Sequence, residues 1–161
     1  MSLAIFTLVH VLISLAGIAT GFVVVGEWLG GKNPRGWTTW FLATNVATNV
    51  TGFFFPFHGF TPPYAFAILA LIVLAVAIYA LASRRLMGPW RKTYVIAGIV
   101  ALFLNCFVLI AQLFLRSPAL HQLAPTGSEP AFGVTQGILL LAFIALGRAA
   151  VQRFPREAAQ S

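Results

Sequence analysis

The side chains in this chain that could carry chemistry are imidazoles and amides. Its three histidines are His10, His58 and His121, and neutral imidazole is a good ligand for copper, zinc or haem iron. A tandem repeat, ATNVATNV at 43–50, sets Asn45 and Asn49 one helical turn apart, with Thr48 just before the second. Asn105, Gln112 and Gln136 sit in later stretches that are otherwise apolar. An amide stranded in hydrocarbon costs several kcal/mol, so each of these groups must meet a neighbouring helix, a wet cavity or a ligand.

Other chemistries lack their groups. The carboxylates are Glu27, Glu129 and Glu157, near the inner end of the first apolar run, in a loop and in the tail, so a proton relay has no acid at mid-depth. There is no phosphate-cradling glycine loop, no HExxH and no GxSxG. The single cysteine, Cys106, excludes an internal disulfide and a multi-thiolate metal site, and between Asn105 and Phe107 it reads as a small buried hydrophobe. The sequence therefore points away from an enzyme, and no catalytic residue is assigned.

The elements that must position the imidazoles and amides follow from composition. Of 161 residues, 60% are hydrophobic and only 8% charged, with a mean hydropathy of +0.92. A soluble domain carries about 25% charged residues. A helix needs roughly 20 apolar residues to cross a bilayer, and five such runs occur: Leu3 to Trp28, Trp37 to Phe57, Tyr64 to Ser83, Thr93 to Leu115 and Ala131 to Val151. The connectors are short and rich in Pro, Gly or charge, so residues 1–161 form one domain. The expected fold is all-α: a polytopic membrane protein with five transmembrane helices.

Charge sets the expected orientation. Lys32 and Arg35 follow the first run, Arg84, Arg85, Arg91 and Lys92 the third, and Arg148, Arg153 and Arg156 the fifth, whereas Arg116 stands alone on the other side. Positive short loops stay in the cytoplasm, which puts the N-terminus outside and the C-terminus inside a bacterial inner membrane. The net charge of +7 is thus directed at lipid headgroups, and no nucleic-acid partner is expected. No Lys or Arg precedes the first apolar run, so it does not read as a cleaved signal peptide. Trp28, Trp37, Trp40 and Trp90 fall near the inner boundary, where such rings anchor helices.

Spacing then assigns faces. His10, Ser14, Gly17 and Gly21 share one helical stripe, as do Gly98, Ala101, Asn105 and Gln112. Small residues let helices approach closely in lipid. Glu27 is within reach of Lys32 or Arg35. Gly133, Gln136 and Gly137 suggest a further packed face. Counting depth at about 1.5 Å per residue pairs Asn49 with Asn105 and brings Gln136 level with Gln112 and His10. The third run, apolar all round, is expected at the periphery of a bundle made by the other four.

Three functions are compatible with this pattern. The leading one is a non-enzymatic subunit or accessory factor that binds a hydrophobic small molecule, such as a quinone or lipid, or a partner membrane protein or second copy, through a groove lined by Asn45, Thr48, Asn49, Asn105, Gln112 and Gln136. The second is a redox protein with haem b or copper held on the outer side by His10 with His58 or His121; beside it stands the plain reading of a hydrogen-bonded His10 and two solvated loop histidines. The third is a small channel or carrier lined by Asn45, Asn49 and Asn105. The five-run size and the stretch NPRGWTTW, Asn33 to Trp40, resemble the tryptophan- and proline-rich first loop of the translocator protein family, which binds porphyrins and sterols. That resemblance ends at Trp40 and implies no site residue. Diheme cytochromes of the b561 type need two histidine pairs on facing helices, and here only His10 lies inside a run.

Overall fold

A computed structural model of the chain describes residues 2–56 and 62–155, and every regular element within them is a helix. In order these are α1 (Leu3–Leu29), α2 (Arg35–Gly52), α3 (Pro62–Ala82), α4 (Trp90–Arg116), α5 (Pro118–Leu123) and α6 (Pro130–Arg153). The boundaries have local causes. The Ser2 hydroxyl accepts the Ile5 N–H at 3.4 Å and caps α1. Prolines open α3, α5 and α6, where a missing N–H removes no helical bond. Between α3 and α4 the chain reverses through Arg85, Leu86 and Gly88, all at positive φ. Leu86 holds its φ of 59° by burying its side chain and closing its N–H onto the Ala80 carbonyl at 3.1 Å. Such a backbone costs a non-glycine residue about 1–2 kcal/mol.

Four helices, α1, α3, α4 and α6, are long and apolar enough to cross a membrane. The expected second span is the shorter α2, 18 residues ending at Gly52. At 1.5 Å per residue it is about 27 Å long, just under the hydrocarbon thickness of about 30 Å. Its threonines and asparagines also lower its hydropathy. The chain turns at Phe53 and Phe54, whose N–H groups bond the carbonyls of Val50 and Thr51, so the helix stops short of the run's predicted end.

α4 is the hub of the bundle, packing against α1, α3, α5 and α6, with half of its most apolar stretch buried. α2 lies between α1 and α3, and α6 closes on both α4 and α1. The third apolar run is therefore not peripheral. α3 lays Ala70, Leu74, Ala77 and Ala80 inward and has α4 as its main neighbour, while α6 buries the smaller share. Its all-round hydrophobicity gave no stripe to read, and the small alanines, not polarity, choose its buried face.

Close approach is set by particular glycines. A Cβ on Gly21 would come within 2.6 Å of Leu102 and 2.8 Å of Phe41, and one on Gly98 within 2.6 Å of the Trp28 ring. Gly133 and Gly137 have nothing within 4 Å of that position among the described residues; Gly133 is exposed, Gly137 half-buried, and of the three residues expected on a packed face Gln136 is the buried one. Trp28 is likewise not an interfacial anchor. It is fully buried in the space Gly98 leaves, edge-on to Tyr94 and Phe154 with ring centroids 5.3 and 5.9 Å away. Arg91 Nη1 donates to the Phe154 carbonyl at 2.6 Å, tying the end of α6 to α4. Trp37 and Trp40 are exposed, and Glu27 pairs with Lys32 at 3.4 Å, both as the sequence suggested.

Candidate functional site

The amides do converge. On α1, Ser14 Oγ donates to Asn105 Oδ1 at 2.8 Å, and Asn105 Nδ2 donates to the Ser14 carbonyl at 3.3 Å and to Asn45 Oδ1 at 3.1 Å. Asn45 Nδ2 completes the set by donating to the Phe41 carbonyl at 2.8 Å and the Gly17 carbonyl at 3.4 Å. Gly17 is required here. A Cβ on it would sit 3.0 Å from Asn45 Nδ2 and 3.3 Å from Asn105 Nδ2. The node joins α1, α2 and α4 in the middle of the bundle, and both asparagines are buried. A second bond between these helices, Thr38 Oγ with the Tyr94 hydroxyl at 3.1 Å, lies nearer the N-terminal ends of α2 and α4.

The partner of Asn105 is thus Asn45 rather than Asn49. Asn49 Nδ2 donates at 2.8 Å to the Asn45 carbonyl of its own helix, which leaves its Oδ1 without a partner among the described residues. Thr48 in the same way spends its hydroxyl on the Thr44 carbonyl at 2.9 Å. Both line a cavity instead. It has a volume of about 480 Å³, lies between α1, α2, α3 and α4, and has Ser14 and Asn105 as its polar floor. Its walls are mainly apolar, from Leu15, Phe55, Phe66, Ala67, Leu104 and Val108, and it reaches the end of the bundle where Thr7, Pro63 and Arg116 stand.

His10 is on the cavity wall. Thr51 Oγ donates to the Ala47 carbonyl at 2.7 Å, so its single proton is spent and His10 Nδ1 is the donor in their 2.8 Å bond. That leaves Nε2 as an acceptor. The Phe55 ring meets the imidazole edge-on at 5.0 Å between centroids. At the mouth, Arg116 Nε donates to Gln112 Oε1 at 3.1 Å, one helical turn apart on α4. Gln112 Nε2 and the terminal nitrogens of Arg116 have no partner among the described residues.

The remaining candidates lie elsewhere. Gln136 is buried between α6 and α4, its Nε2 donating to the Phe107 carbonyl at 3.0 Å and its Oε1 unpaired among the described residues; it does not reach the cavity. Matching its depth to Gln112 was not enough, because the two point to opposite sides of α4. His121 is exposed on α5, and His58 falls outside the described residues. Among the described residues no three metal-ligating side chains come together. The sequence did not single out Ser14, Thr51, Phe55 or Arg116 for the site. Arg116 had a signal, being the one cation placed on the outer side.

Comparison with family models, with curated proteins and with solved structures finds no match to this chain.

Proposed function

We propose that this chain is a five-span protein of the bacterial inner membrane, N-terminus outside, that binds a hydrophobic small molecule between α1, α2, α3 and α4 and catalyses nothing. The observation that carries the reading is the cavity: about 480 Å³ with mainly apolar walls and a few convergent polar atoms, inside the size range of about 300–1,000 Å³ for small-molecule sites. Asn49 Oδ1, His10 Nε2 and Gln112 Nε2 are polar atoms on its lining without a bonded partner among the described residues, which is what an orienting set for a ligand needs. The node below them supports binding over passage. Its asparagines are bonded to one another and to Ser14, so a carrier path would have to break those contacts.

The crossing of α2 is supported by its place between α1 and α3 and by amides turned into the bundle. With five crossings, the basic residues after α1, after α3 and at the end of α6 share one side, as the positive-inside bias requires.

The test is occupancy. Protein extracted in native lipid patches should carry one dominant small molecule by mass spectrometry, and Ala67→Trp, which fills the cavity, should remove it while leaving the helical content unchanged. Identical lipid profiles for wild type and the filled variant would end the reading.

A further inference from the structure

Building on the cavity reading, we infer that its occupant is a single-chain amphiphile with an anionic head, carboxylate or phosphate, seated against Arg116 at the mouth with its tail reaching down to Ser14 and Asn105. Size comes first. A cavity of about 480 Å³ is in the lower half of the range of about 300–1,000 Å³ for small-molecule sites, which favours one chain over two.

Charge comes second. Arg116 lines this cavity and also a more open hollow formed with Leu3, Ala4, Thr7 and Phe55, so it borders both spaces. Among the described residues no carboxylate lines either space. The outer-side acid, Glu129, is committed to its own loop, accepting the Thr126 hydroxyl at 2.8 Å and the N–H groups of Thr126 and Ser128, both at 3.1 Å. The ion pair found among the described residues, Lys32 with Glu27, is at the inner end. Arg116 therefore has Gln112 Oε1 as its partner, and Gln112 Nε2 adds a donor beside it. A fork of guanidinium N–H groups next to an amide donor matches the oxygens of a carboxylate or phosphate, and such charge-assisted bonds are about twice as strong as neutral ones. Deeper down, the amides of Asn105 and Asn45 are bonded to each other, to Ser14 and to backbone carbonyls, and the free atoms of His10 and Asn49, Nε2 and Oδ1, are acceptors, so nothing below the mouth competes for an anionic head.

The experiment uses the full chain in phosphatidylcholine nanodiscs, with native mass spectrometry reading bound laurate, lauroyl lysophosphatidate or dodecanol at equal mole fraction in the lipid. Expected is binding of one or both acids about tenfold tighter than dodecanol. Arg116→Gln should bring both acids down to the level of dodecanol, and Arg116→Lys should keep most of the preference. Whichever acid is preferred identifies the head as carboxylate or phosphate. If all three amphiphiles bind equally, in wild type and in Arg116→Gln alike, the anionic head is refuted while the cavity reading stands. If none binds, and Ala67→Trp carries the same lipids as wild type, both fall together.

Discussion

Replacing Asn105 with leucine tests whether the node holds the helices together or merely accompanies their packing. Asn105 makes three bonds to α1 and α2, at 2.8, 3.1 and 3.3 Å. Side-chain hydrogen bonds between membrane helices average about 0.6 kcal/mol, so their loss amounts to about 2 kcal/mol. Asn45 Oδ1 is then left buried without a donor, which adds about 1 kcal/mol. Ser14 recovers part by turning its hydroxyl to a carbonyl of its own helix. The expected cost is about 2–3 kcal/mol for Asn105→Leu, against about 1 kcal/mol or less for Asn49→Leu, whose single bond stays within α2. The pair Asn45→Leu with Asn105→Leu should cost less than the two singles together, by about 1–2 kcal/mol, because exchanging both partners strands neither. Unfolding by SDS titration in mixed micelles, monitored by circular dichroism, gives all four values. Equal losses for Asn49→Leu and Asn105→Leu, or strict additivity in the double variant, would refute the assignment of the node.

Further outcomes follow from the packing. Gly98→Val drives a methyl into Trp28 and should cost about 1–3 kcal/mol, whereas Gly137→Ala, with open space around it, should be neutral or add up to about 1 kcal/mol; thermal melts of the two compare them directly. Arg91→Gln removes the donor to the Phe154 and Val151 carbonyls and should raise hydrogen exchange at residues 151–154 while leaving the opposite end of the bundle unchanged. In the loop before α6, desolvation pushes the Glu129 carboxyl up, but bonds from the Thr126 hydroxyl and from backbone N–H groups, those of Thr126 and Ser128 among them, together outweigh it and hold it below the usual range. Its ordering effect is therefore present above the ordinary carboxylate value and lost as pH falls through the lowered one. The Thr126 and Ser128 amide resonances should titrate there, and Glu129→Gln should make them pH-independent.

How much of this was readable in advance depends on the range over which each property is decided. Helix existence was legible because it rests on hydropathy and on prolines and glycines a few residues apart: every predicted run is a helix, although α2 ends early at Gly52 and α5 was missed inside a loop. The inward turn of Asn45, Asn105 and Gln136 was legible for a similar reason, since the cost of a lipid-facing amide is fixed by the residue itself. So was the buried stripe of Gly17 and Gly21.

What the fold alone decided is which groups meet. Periodicity gives a side chain's angle around its own helix, but its partner depends on how far one helix slides along and leans against the next. That offset is set by contacts such as Gly21 with Phe41 and Leu102, or Gly98 with Trp28, which are distant in sequence. Hence Asn105 met Asn45 and not Asn49, Trp28 left the interface for the core, α3 joined the bundle, and Arg116 came to stand over a cavity that four separate helices enclose.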